Sequence, residues 1–192
     1  MYNFMINPNV RDGRMLDMWS ANCPLKNKNF LWLCFRGQIQ SASALVGRKW
    51  RGSASCVSCG VVEHTDHILF NCLVARYCWC IIRDCFQVDS VPRSREEFNE
   101  LFLSTSGKGK NAVVWFWFAA LVWALWLTRN DRIFNKKVLM NPCVPLYKSL
   151  SLMQQWFPLV AVKRRQATEG IIAKLAQMLR ECNAPSTRAG VG

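Results

Sequence analysis

The sequence predicts a mainly α-helical protein: a small helical domain with a short zinc-binding turn or hairpin in its first half. Three observations carry this reading. Apolar residues recur at helical spacing through most of the chain, and period-two alternation has little claim outside one short stretch. Within that stretch Cys56, Cys59, His67 and Cys72 spell Cys-x2-Cys-x7-His-x4-Cys. The 192 residues are 51% hydrophobic and 12% aromatic, which suffices for a buried core in one domain or two small ones.

Taken in order, residues up to about 18 read as a poorly ordered tail. A helix over 26–36 places Phe30, Leu31, Cys34 and Phe35 on its apolar side, and a second over 42–49 has Ser41 in position to cap it. The metal module occupies about 55–72. A helix over 74–86 sets Ala75, Trp79, Ile82 and Phe86 on one face. Ser94-Arg95-Glu96-Glu97 has the form of a capping box that opens a helix to Leu103. Residues 104–110 form a Gly- and Ser-rich loop without the residue order of a phosphate-binding loop.

Residues 112–127 are an unbroken apolar run containing Trp115, Trp117, Trp123 and Trp126. A helix of that length spans about 24 Å, short of the roughly 30 Å hydrocarbon core of a bilayer. Its flanks are basic on both sides, so they encode no orientation. The run reads as a buried helix, with a membrane span as the competing reading. Pro142 and Pro145 interrupt the chain before a helix over 146–157, Pro158 ends that helix, and a last helix covers 169–181. The expected division is a zinc-binding domain over 19–110, a C-terminal helical region over 111–182 and a disordered tail over 183–192.

The spacing of the four Cys and His residues suits zinc. Zinc takes four tetrahedral ligands, and three thiolates with one imidazole close the shell, which makes the ion a structural brace with no open position for chemistry. Cys56 and Cys59 can share a tight turn, with Gly60 free to take positive φ where the chain swings back. His67 and Cys72 are five residues apart, and a regular α-helix would point them about 140° apart. The segment must therefore bend or stop before Cys72, and Asn71 is a residue type that tolerates a left-handed conformation there. His64 is the rival ligand. His67 is preferred because it leaves Gly60 to Asp66 as a hairpin-like excursion.

The formal charge is +13, unevenly distributed. Residues 23–56 carry Lys26, Lys28, Arg36, Arg48, Lys49 and Arg51 with no acid, and the C-terminal half is also basic. Such a balance suits a polyanion, most simply RNA or DNA, with plain solubility as the alternative. The N-terminus has no secretory signal, so an intracellular protein of the nucleus or cytoplasm is expected, with Cys-x2-Cys as a metal motif in a reducing compartment. The other seven cysteines read as buried hydrophobes, with Cys78 and Cys80 as remote candidates for spare ligands.

With these residues placed, the chain resembles the reverse-transcriptase zinc-binding domain at the C-terminal end of plant non-LTR (LINE-type) retrotransposon polyproteins. The similarity runs over about 19–135. It includes Pro24-Leu25-Lys26, Phe30-Leu31-Trp32, the Cys56-x2-Cys59-Gly60…Glu63…His67…Cys72 motif, Ala75-Arg76 with Trp79, and Trp123-x2-Trp126-x2-Arg129-Asn130. The resemblance implies zinc binding and a non-catalytic contact to RNA or DNA. The polymerase carboxylates are missing from the sequence, which looks like a severed fragment of a retroelement, and an enzyme is the least expected reading. The alternatives are a structural or protein-interaction remnant, in which zinc only staples the fold, and a small membrane-associated protein that uses 112–127.

Overall fold

A computed structural model of the chain describes residues 18–103 and 111–183. The expected tails, apart from Met18 and Asn183, and the 104–110 loop lie outside the described residues. Seven α-helices follow the apolar spacing: α1 (Leu25–Phe35), α2 (Ala42–Gly47), α3 (Leu73–Phe86), α4 (Arg95–Phe102), α5 (Asn111–Ile133), α6 (Val144–Trp156) and α7 (Val162–Asn183). A π-helical turn, His67–Asn71, precedes α3, and a short 3-10 turn, Phe157–Leu159, precedes α7. The described residues contain no strand, only one isolated antiparallel bridge between Ser55 and Val62.

Local chemistry sets the ends of several helices. Ser41 caps α2 by accepting a hydrogen bond from the Ala44 N–H at 3.3 Å. Ser94 accepts from the Glu97 N–H at 3.2 Å, and the Glu97 carboxylate accepts from the Arg93 N–H at 2.8 Å. Helix α3 ends where Gln87 turns left-handed at φ 55°.

Three boundaries differ from expectation. Pro145 lies inside the first turn of α6, where its missing N–H has no helical partner to lose. Helix α5 continues beyond the apolar run to Ile133, because Arg129 makes its polar contacts inside the protein. Helix α7 starts at Val162, so Lys163, Arg164 and Arg165 belong to the helix and Gly170 is carried in its interior.

Buried side chains from Met18 to Leu179 form one continuous hydrophobic cluster. Helix α5 is its axis. It lies along α6 and also packs on α1, the π-turn and α7. A helix that is apolar on all sides must be covered on all sides, and Trp115, Trp117, Phe116 and Phe118 are each at most 2% exposed. Its contact with α3 is made by side chains: the Trp117 ring lies 4.8 Å from Phe86 and 6.2 Å from Trp79. Its most extensive packing is with α6, a partner that no local signal in the sequence selects. Trp79 and Phe70 stack at 5.6 Å, and Phe98 stacks on Phe118 at 3.9 Å. The metal turn is thereby seated against an aromatic core.

Candidate metal centre

The chain turns back between Ala54 and Glu63. The Cys56 N–H donates to the Val61 carbonyl at 2.7 Å and the Glu63 N–H to the Ala54 carbonyl at 2.9 Å. The Gly60 N–H closes the tip onto the Cys56 carbonyl at 2.9 Å, with Gly60 at φ +74°, a conformation that favours glycine. This is the expected hairpin-like excursion, reduced to a single bridge.

The second half of the site avoids the 140° problem through the π-turn. The Cys72 N–H donates to the His67 carbonyl at 2.7 Å, a bond between residues five apart. One turn thus absorbs the extra residue, and the chain leaves it at Cys72 in an extended conformation (φ −60°, ψ 146°). Asn71 has no positive φ, so the expectation of a left-handed residue there is corrected. It acts through its side chain instead, donating to the Arg93 carbonyl at 2.8 Å and the Asp66 carbonyl at 3.3 Å. The Trp79 indole N–H donates to the Leu69 carbonyl at 2.8 Å and ties the π-turn to α3.

These two halves bring together one ligand atom each from Cys56, Cys59, His67 and Cys72, all within 4.8 Å of one another. The Cys56 and Cys72 sulfurs are 3.7 Å apart, and the Cys59 sulfur lies 3.3 Å from His67 Nε2. Zn–S bonds of about 2.3 Å at the tetrahedral angle separate two sulfurs by about 3.8 Å, so the donor set fits a zinc ion. The hydrogen bond from the Cys72 thiol holds Cys56 well below the ordinary thiol range. The same bond, together with burial, pushes Cys72 up.

His64 stands outside the group. It is exposed, and its Nδ1 lies 3.0 Å from the Ser43 hydroxyl. Cys78 and Cys80 are not in the group either. Cys23, Cys34, Cys78, Cys85 and Cys143 are buried, whereas Cys80 is half-buried and Cys182 exposed. Burial pushes the Cys34, Cys78 and Cys85 thiols up, which keeps them inert.

Two ion pairs that sequence reasoning did not find hold the site in place. Glu63 and Arg129 are 1% and 8% exposed. Glu63 Oε1 accepts from Arg129 Nη2 at 2.5 Å and Nε at 3.0 Å, and from the Ala42 N–H at 2.8 Å. One carboxylate therefore joins the hairpin, the start of α2 and the end of α5. Arg95 grips Asp66, the residue before His67, through Nε and Nη2 at 2.8 and 3.2 Å, and donates through Nη1 to the Phe35 carbonyl at 2.5 Å. The available signal was a Glu after two valines and an Arg just past the apolar run, but their separation in sequence left the pairing open. Arg132 completes the seam by bonding to the Ser58 hydroxyl and the Val57 carbonyl.

The six bases expected to meet phosphates divide into two sets. Lys28 donates to the Trp19 carbonyl at 2.9 Å, Lys26 lies 5.8 Å over the Trp123 ring, and Arg36 lies 4.9 Å over Trp32. The side chains of Arg48, Lys49 and Arg51 are exposed and make no hydrogen bond or ion pair with the described residues. Trp50, between them, is only half-exposed. It packs edge-on to Phe134 at 6.4 Å.

A helical fold of this kind, with a cysteine-rich half-site on a tight turn and a His-Cys half-site on the next one, carries a Cys3His cluster that could hold a metal ion. Residues 1–79, about two fifths of the chain, match the model of a family described as zinc-binding in reverse transcriptase. The match contains all four clustered residues and Glu63. It stops at Trp79, short of the Trp123 to Asn130 run. No polymerase domain is evident in the chain. No curated protein and no solved structure is matched.

Proposed function

We propose that Cys56, Cys59, His67 and Cys72 hold one structural zinc ion, and that the domain so braced is an intracellular, non-catalytic binder of RNA or DNA. The observation that carries the zinc reading is the convergence of four ligand atoms within 4.8 Å. Their number closes the coordination shell, which supports a structural and not a catalytic ion. The nucleic-acid reading draws its support from the exposed bases Arg48, Lys49 and Arg51 next to the metal turn, with Lys26, Lys28 and Arg36 on α1 and its end. Lysine and arginine contacts to phosphates release counterions and make such binding salt-sensitive.

Two measurements test this. Metal analysis of freshly purified, reduced protein should give one zinc per chain. His67→Ala should lose it and His64→Ala should keep it; the reverse pattern would move the ligand to His64. In fluorescence anisotropy with a labelled single-stranded oligonucleotide, four phosphate contacts would weaken binding about fifty-fold between about 50 and 200 mM salt. Zinc-loaded protein that binds no nucleic acid would leave the structural-remnant reading, with zinc as a staple alone.

A further inference from the structure

We propose that the nucleic-acid surface of this domain is a junction of two stretches far apart in sequence: the Arg48, Lys49 and Arg51 loop ahead of the metal turn, and the end of α5 at Phe134, Lys136 and Lys137. Its ligand is a single strand. The inference rests on the nucleic-acid reading above and names the site for it.

The two stretches are held together by contacts around the metal turn. Arg132 bonds to Ser58 and Val57, next to Cys56 and Cys59. The Trp50 ring meets the Phe134 ring, and the Arg129 guanidinium lies 5.8 Å over the same Phe134 ring. A Cβ at Gly52 would run into the far end of the Trp50 indole, so the ring lies directly on glycine backbone. This arrangement supports Phe134 from beneath while leaving it 54% exposed. Among the described residues the other phenylalanines are buried or partly buried, so this supported and half-open ring stands apart.

Both stretches are basic. Arg48, Lys49 and Arg51 flank Trp50, and Lys136 and Lys137 follow Phe134, with Lys136 turning the chain at φ 52°. The nearby acid is Asp131. It is engaged by Lys148 at 2.8 Å and by Lys137 at 3.2 Å, and the Lys137 side chain is 66% exposed. Lys148 can therefore neutralise Asp131 while Lys137 turns to a phosphate. Five bases on the two stretches that carry Trp50 and the exposed Phe134 ring match a backbone tracked by charge and a base stacked on a π-face. Bases in a duplex are already stacked on each other, so the Phe134 contribution applies to single strands.

The test uses the zinc-loaded full chain and a labelled oligouridine 12-mer, with a duplex of equal length for comparison. Phe134→Ala should weaken single-strand binding about five-fold or more, as loss of a stacked base does, and should leave duplex binding nearly unchanged. Phe134→Trp should bind at least as tightly as the parent, which separates lost stacking from lost folding. Replacing Lys136 and Lys137 with Ala should flatten the log–log salt slope by about 1.4, whereas neutralising Lys163 and Lys174 on α7 should flatten it less. Zinc content should stay at the parent level throughout. If the Arg48, Lys49 and Arg51 variant loses affinity while the Phe134 and Lys136/Lys137 variants do not, the junction is wrong and the broader reading stands. Equal losses on single strand and duplex for Phe134→Ala would overturn the stacking role. A parent protein that binds neither probe would remove both proposals.

Discussion

The Glu63 carboxylate shows how a single residue can matter more to this fold than its place in the sequence suggests. It is nearly fully buried, and Oε1 takes three donors, two from Arg129 and one from the Ala42 backbone. A buried pair contributes little net stability compared with an apolar substitute, but breaking it from one side strands a charge. Arg129→Met should therefore destabilise the zinc-loaded protein by about 3–5 kcal/mol in urea unfolding. Arg129→Lys should recover only part, since an ammonium cannot reproduce the two-nitrogen grip. Replacing both partners with Leu and Met should cost less than the sum of the single changes. A loss below about 1 kcal/mol for Arg129→Met would contradict the assigned role of the pair. At this scale the sequence was readable where chemistry imposes spacing. The four ligand-type residues were recoverable because thiolates and imidazole must reach one point. Glu63 with Arg129, and Asp66 with Arg95, were not, because nothing local fixes which distant charge a buried charge meets.

Elements show the same division. The apolar spacing located the main helices, and the Ser41 and Ser94 caps fixed the starts of two of them. Boundaries failed where tertiary contacts overrode local signals: α5 runs on to Ile133 through polar residues whose partners lie on other elements. The π-turn is the informative case. His67 and Cys72 do not share a regular α-helix, as their spacing requires. The solution was a widened turn, where the sequence reading had expected a left-handed Asn71. Widened turns are rare and occur often at functional sites, and this one sets two ligand-type residues toward a single point. It follows that metal and π-turn depend on each other. Since a metal site of this kind has little preformed structure in the unfolded chain, binding energy becomes local folding energy. Chelation should therefore raise amide exchange in the segment between Cys56 and Cys72 first, and then in α3, which is joined to the turn by the bond from Trp79 to Leu69. The exchange of α6 and α7 should change less. Uniform exchange before and after chelation, with zinc demonstrably removed, would show that the turn stands without metal.

At the scale of the whole molecule, the ambiguity left by composition was whether the apolar run covers itself with protein or with lipid. Ala112–Ile133 is long and apolar enough to cross a membrane by length and composition, and a core helix passes the same test. The structure supplies the missing term: 78% of the most apolar window is buried inside the chain itself. Moving α5 into a bilayer would strip it from α6, α1, the π-turn and α7. It would also pull Arg129 away from Glu63, which belongs to the metal hairpin, leaving two charges without their partner. The apolar gain is the same in protein and in lipid to first order, so the broken ion pair and the disrupted Cys/His cluster weigh against insertion. The expected outcome is that zinc-loaded protein expressed in cells stays in the supernatant after membranes are washed with alkaline carbonate, and that it does not float with vesicles in a density gradient. Retention in the floated fraction, with a protease-protected fragment spanning 112–133, would mean that the bilayer competes successfully for α5. In that case Cys56, Cys59, His67 and Cys72 would have to assemble without the helix that now supports them, and zinc content measured on the floated protein would show whether they do.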